Sequence, residues 1–124
     1  TATHKLWTRN KPVNTIASPL FYQGRIYLIH EGGTLTCLNA RTGTPVYENK
    51  RVGATGGYYA SPLAADGRIY LASRNGVVTV VASGDEFKLV ANNDLGEPIF
   101  ATPAIADDRL YVRTTRHLWA FGRP

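Results

Sequence analysis

Short apolar runs rich in Val, Ile, Leu and Tyr alternate along this chain with pairs drawn from Gly, Asn, Asp and Gln, and the alternation repeats. No segment sustains a helical apolar period over ten or more residues, so the pattern predicts strands throughout and an all-β fold. Three segments share one opening: Ala17-Ser18-Pro19-Leu20, Ala60-Ser61-Pro62-Leu63 and Ala101-Thr102-Pro103-Ala104. Each leads through a turn into a second strand, Arg25-Ile26-Tyr27-Leu28, Arg68-Ile69-Tyr70-Leu71 and Arg109-Leu110-Tyr111-Val112. A third strand follows in each unit: Thr34–Leu38, Val77–Val81 and His117–Phe121. The prolines at 19, 62 and 103 are spaced by 43 and 41 residues, and the tyrosines at 27, 70 and 111 repeat both spacings.

The residues between the strands suit tight hairpins. Gln23-Gly24, Asp66-Gly67 and Asp107-Asp108 join first strand to second, and side chains of these kinds tolerate the positive φ that two-residue turns require. Gly32-Gly33 and Asn75-Gly76 occupy the next turn in the first two units, with Thr115-Arg116 in the third. Thr42-Gly43 and Ser83-Gly84 lead into fourth strands at Pro45–Asn49 and Phe87–Ala91. Four short antiparallel strands repeating every 40 to 45 residues are the pattern of β-propeller blades. An immunoglobulin-like sandwich also has many short strands, but it does not repeat one motif three times.

The units are expected at residues 15–50, 58–93 and 99–122, the last without its fourth strand, within one segment spanning 1–124. Residues 4–10 are expected as an orphan fourth strand, aligned with Val46–Lys50 and Leu89–Asn93. The inventory is three blades' worth of strands, whereas propellers typically have four to eight blades. Two arrangements satisfy it: a C-terminal part of a longer propeller, or half of a six-bladed ring in which residues 4–10 of one chain complete the third blade of another. Self-association is expected in either case, with a homodimer for the closed ring, because an open arc exposes apolar faces and a strand edge.

The stretch Leu38-Asn39-Ala40-Arg41-Thr42-Gly43-Thr44-Pro45-Val46-Tyr47 resembles the signature of the pyrroloquinoline-quinone-type (PQQ-like) repeat family, with Asn39 in place of an Asp and Tyr47 in place of a Trp. The Ser-Pro openings and the Gly-Arg-Ile-Tyr second strands are similar to that family too. The second unit replaces the Thr-Gly signature with Ala82-Ser83-Gly84-Asp85-Glu86-Phe87, and the third stops before it, at Phe121-Gly122. Quinone-dependent relatives hold their cofactor with a vicinal disulfide, a stacking Trp and calcium ligands. With Cys37 as the single cysteine the disulfide is excluded, so the resemblance implies the non-enzymatic branch, which includes the outer-membrane protein assembly lipoprotein and secreted bacterial propellers. It implies a non-catalytic scaffold for protein–protein interaction, periplasmic or secreted, with no cofactor and no catalytic residue. The alternatives are a fragment of a quinone- or metal-dependent dehydrogenase whose catalytic blades lie elsewhere, or a small-anion binding module.

Composition narrows the partners. The net charge is +5, from 14 Lys and Arg against 9 Asp and Glu, but the basic residues are scattered and only Lys50-Arg51 are adjacent. Without a basic run interleaved with aromatics there is no nucleic-acid footprint, and solubility accounts for the charge. No apolar run approaches the ~18 residues that cross a membrane.

Candidate contacts come from departures within the repeat columns. Arg113 stands where the other units have Ile29 and Ala72, so it either makes an ion pair, with Asp107, Asp108 or a neighbouring blade, or binds an anion or a partner. Arg74 and Arg116 lie on comparable loops. His30, Ser73 and Thr114 form the next column, three positions after the repeat tyrosine. Tyr58, aligned with Thr15 and Ile99, is expected as an exposed aromatic contact, and Tyr59, aligned with Ile16 and Phe100, as core. His4, His30 and His117 fall in different units and predict no metal site. Cys37, between Leu35 and Leu38, is expected as a buried, inert thiol.

Overall fold

A computed structural model describes residues 5–11, 17–53 and 57–122. They form three antiparallel sheets that follow one another along the chain. The first is β1 (Leu20–Tyr22), β2 (Arg25–His30), β3 (Thr34–Asn39) and β4 (Pro45–Arg51). The second is β5 (Leu63–Ala65), β6 (Arg68–Ala72), β7 (Val77–Ala82) and β8 (Leu89–Asp94), and the third is β9 (Ala104–Ala106), β10 (Arg109–Arg113) and β11 (Leu118–Phe121). Each is a meander. The inner strands β1, β5 and β9 touch in succession, which is how propeller blades gather around an axis.

Each first strand begins one residue after the repeated proline, because proline has no N–H to give to a ladder. The residue before that proline does separate work. The Ser61 hydroxyl accepts from the Ser18 N–H at 3.0 Å, and the Thr102 hydroxyl accepts from the Ser61 N–H at 2.9 Å. The Ser/Thr-Pro motif therefore links each unit to the next at its entry. In the first turns both central residues have positive φ: Gln23 and Gly24 at 51° and 76°, Asp66 and Gly67 at 52° and 76°, Asp107 and Asp108 at 51° and 61°. These are the tight hairpins that the sequence predicts, with the mirror-image turn that matches strand twist.

Alternation along the strands gives every sheet two faces. Tyr27, Ile29, Leu35, Cys37 and Tyr47 of the first sheet pack against Ile69, Leu71 and Val81 of the second, with Tyr58 and Val52 closing the layer. Ala72 and Val78 on the opposite face of the second sheet pack with Leu110 and Val112 of the third and with Ile99. The tyrosine column is graded. Tyr27 is fully buried, while Tyr70 and Tyr111 are half-buried. The Tyr27 hydroxyl reaches the second sheet, 3.2 Å from Ser83 Oγ, and accepts from the Gly84 N–H at 3.4 Å. At the same end Arg25 pairs with Asp85 at 2.6 Å, and Ser83 Oγ donates to Gln23 at 2.9 Å. Cys37 is buried as expected, and burial pushes its thiol up to about 11.

Residues 4–10, the expected orphan strand, carry no strand in their described part; His4 lies outside the described residues. A strand needs a ladder partner, and this segment is held by its side chains. Trp7 Nε1 donates to the Ala40 carbonyl at 2.9 Å, and its ring lies over Gly43, where an added Cβ would sit 2.5 Å from ring carbons. Arg9 bonds Glu48 at 2.6 Å and Lys11 bonds it at 3.2 Å. Tyr47 repeats the docking one sheet further on, edge to face with Phe87 at 5.6 Å. Its buried hydroxyl has no hydrogen-bond partner among the described residues.

Two predictions concern these docked rings. Tyr47→Phe removes an unsatisfied buried hydroxyl and leaves the ring contact, so it is expected to cost nothing or to stabilise by up to about 1 kcal/mol in urea unfolding. Gly24 and Gly43 share a φ of 76°, but only Gly43 has a ring against it. Gly24→Ala is therefore expected to cost about 1–2 kcal/mol for the left-handed backbone alone. Gly43→Ala is expected to cost more and to red-shift tryptophan emission as Trp7 is displaced.

Candidate functional site

The hairpins β2–β3, β6–β7 and β10–β11, together with the connections leaving β4 and β8, collect at one end of the sheets. Backbone bonds fix them there. Val52 N–H donates to Gly33 and Leu95 N–H donates to Gly76, both at 2.9 Å. Arg74 ties two connections at once: its N–H donates to the Gly57 carbonyl at 2.8 Å, and its carbonyl accepts from the Ile99 N–H at 3.1 Å.

This pinning decides which side chains face outward. With residues 57 and 99 anchored on Arg74, Tyr58 and Ile99 turn into the gaps between sheets, 0% and 1% exposed. Tyr59 and Phe100 point the other way, and Phe100 is 54% exposed. The expectation for this pair is corrected by one residue: Tyr58 is core, and the outward aromatics are Tyr59 and Phe100. Their column partners Thr15 and Ile16 lie outside the described residues. The Arg74 guanidinium stands between the two rings, 5.6 Å from the Tyr59 centroid and 5.7 Å from that of Phe100. Nη1 also donates to Tyr59 Oη at 3.4 Å. Each cation–π contact contributes roughly 0.5–1 kcal/mol at an exposed site. The sandwich holds a charge that pairs with no carboxylate among the described residues.

The column His30, Ser73 and Thr114 holds hairpins together. His30 is buried, its Nε2 lying 3.1 Å from Thr36 Oγ1, and burial, with a smaller contribution from Arg9, pulls its pKa below the ordinary value. Ser73 Oγ accepts from the Val77 N–H at 3.0 Å. Thr114 Oγ1 donates to Glu97 and accepts from Trp119 Nε1 at 3.0 Å and from the His117 N–H at 3.2 Å. His117 Nδ1 lies 3.0 Å from both Glu97 oxygens. These bonds, Thr114's foremost, hold the Glu97 carboxyl below the usual range.

Arg113 and Arg116 come together, lining a shallow recess with Thr114, Thr115, His117 and Leu118. Arg113 is exposed on β10 opposite Leu118 and makes no ion pair among the described residues, with Asp107, Asp108 or any other carboxylate. Of the residues singled out in the sequence, this end of the molecule thus displays Arg74, Arg113 and Arg116, while His30 and Tyr58 are interior. The Arg74 sandwich escaped the sequence reading because its rings come from separate units. Its trace was the Tyr59/Phe100 column itself. Among the described residues no group of three or more His, Cys, Asp and Glu side chains is placed to hold a metal ion, and no helix is long and apolar enough to cross a membrane.

Comparison with known proteins gives a consistent picture. The family described as outer membrane protein assembly factor BamB matches residues 2–86. The crystal structure of BamB from Moraxella catarrhalis is 22% identical over 95% of this chain, with a TM-score of 0.76. This chain spans 38% of the length of that structure. Two computationally designed proteins share the fold: Ika8, with a TM-score of 0.66 at 11% identity over 85% of this chain and 32% of its own, and Ika4, with 0.51 at 10% identity over 98% and 99%. No curated protein matches the chain.

The burial of His30 predicts a pH dependence. Its proton binds less readily in the folded chain than in the unfolded one, where its pKa is 6.5. Below that pH the unfolded chain therefore binds more protons, and stability falls as pH falls. The urea midpoint is expected to drop between pH 7 and pH 5. His30→Asn is expected to flatten that drop, and an unchanged slope would count against the assignment.

Proposed function

The chain belongs to the family described as outer membrane protein assembly factor BamB, and from that membership we propose that it is a non-catalytic β-propeller scaffold for protein–protein interaction. The observation that carries this reading is the Arg74 sandwich. Its backbone is tied to two connections and its guanidinium is stacked between two outward rings. A pre-organised arginine flanked by aromatics has the composition of a protein-interface hot spot. Tyr59, Arg74 and Phe100 form the centre of the proposed contact, and Arg113 and Arg116 extend it. The family's description as an outer membrane protein assembly factor supports work in outer-membrane protein assembly, with the chain periplasmic or secreted.

The same proposal includes self-association. The open face of the third sheet carries Tyr111, Arg113 and Leu118, the last 72% exposed. In the first two sheets the face in this position is covered by the next sheet. A second copy or further blades would cover it here.

A second reading is favoured by the recess at the β10–β11 hairpin, where Arg113 and Arg116 sit together. It would hold a small anion such as phosphate. Phosphate titration followed by the amide resonances of residues 113–118 tests it, with Arg113→Ala expected to remove the shifts.

Site-specific photo-crosslinking at position 100 in cells tests the scaffold reading. Adducts with an outer-membrane assembly component are expected, and Arg74→Ala is expected to weaken that binding about 10- to 30-fold, about 1.4–2 kcal/mol. The unfolding free energy should fall by about 1–2 kcal/mol, as the two cation–π contacts are lost, so binding is compared under conditions where both proteins stay folded. Unchanged binding by Arg74→Ala, or adducts independent of position, would contradict the reading.

A further inference from the structure

Arg74 is held in place, yet its charge is unmet. Its backbone ties the connections at Gly57 and Ile99, and its guanidinium stands between the rings of Tyr59 and Phe100. A guanidinium carries five N–H donors in a planar fork. Among the described residues one of them finds an acceptor, Tyr59 Oη at 3.4 Å, which is long for a hydrogen bond. Other arginines end on stronger acceptors. Arg9 and Arg25 reach the carboxylates of Glu48 and Asp85, both at 2.6 Å, and Arg51 donates to the Gly32 carbonyl.

An acidic residue passes close by and is committed elsewhere. The Glu97 carbonyl lies against Gly76, two residues after Arg74. The Glu97 carboxylate, however, accepts from Thr114 Oγ1, and His117 Nδ1 lies 3.0 Å from both of its oxygens. The fold thus carries a carboxylate past Arg74 and spends it on the third sheet. What would complete the site follows from its form. One guanidinium offers paired N–H donors that match the two oxygens of one carboxylate. The flanking rings are apolar walls, suited to the methylenes of a side chain rather than to a hydrated inorganic anion. The cations that would join Arg74 around a phosphate, Arg113 and Arg116, lie on another hairpin.

We propose that the Arg74 sandwich receives an aspartate or glutamate side chain of the partner polypeptide. The carboxylate pairs with the open edge of the guanidinium, and the methylenes lie against Tyr59 and Phe100. This names the partner chemistry of the scaffold reading and rests on that reading.

The test selects a random dodecapeptide phage library on the full chain and counter-selects it on Arg74→Gln. Enriched sequences are expected to share an Asp or Glu beside apolar residues. The best of them is synthesised with an amidated C-terminus, so that its carboxylate is a side chain's. A twin with that acid changed to its amide is expected to bind about tenfold more weakly. Arg74→Lys, which keeps the charge and loses the fork, is expected to weaken the acidic peptide about fivefold, and it stands as the second variant should Arg74→Gln fail to fold. Enrichment without a shared acid, no clone that depends on Arg74, or equal binding of the amide twin would overturn the proposal. So would inorganic phosphate, or a peptide whose one carboxylate is its C-terminus, binding as tightly as the selected sequence. Adducts at position 100 that persist beside any of these results would leave the scaffold reading standing, whereas their loss would remove both.

Discussion

Every sheet in this chain carries apolar side chains on both faces, and a sheet of four short strands cannot cover either by itself. The fold depends on the face-to-face contact between successive sheets. Tyr27, Ile29, Leu35 and Cys37 leave water only because Ile69, Leu71 and Val81 come up against them. The largest buried side chains are concentrated in these gaps, and core aromatics and branched aliphatics of this kind cost about 2–5 kcal/mol each when truncated. The polar bonds between the first and second sheets then set their relative position: Ser18 to Ser61 at the entry, and Tyr27 to Ser83 and Arg25 to Asp85 at the opposite end.

The same constraint shapes the surfaces left for function. Because the sheets stand face to face, their hairpins and connections are forced to two ends, and at one of these Arg74 binds together the strands leaving two different units. A side chain on such a residue is displayed from the most tightly tied backbone in the region.

Much of this was legible in the sequence. The Ser/Thr-Pro openings, the turn pairs and the tyrosine column announced three units, and the turn residues adopt the positive φ that their types suggested. The face presented by residues 58–59 and 99–100 was not legible, because two hydrogen bonds to Arg74, a residue from another part of the repeat, fix it. Nor was the equivalence of Tyr47 with Ala91. Ladder pairing sets Ala91 opposite Val80 as Tyr47 is opposite Cys37; the connection from Val81 to Leu89 is one residue longer than that from Leu38 to Pro45, so the 43-residue repeat spacing sets Val90 against Tyr47 instead. The segment at 4–10 resembles a fourth strand in composition, but its described residues dock by side chains on the Ala40–Gly43 turn and on Glu48.

If the molecule is a platform, its sheets must open together. Native-state hydrogen exchange across β2, β6 and β10 measures this directly, because amides that share one cooperative unit exchange through one common opening free energy. Protected amides such as those of Ile29, Leu71 and Val112 are expected to converge on a single value near the global unfolding free energy. Separate values for the three sheets, with each opening on its own, would contradict the account.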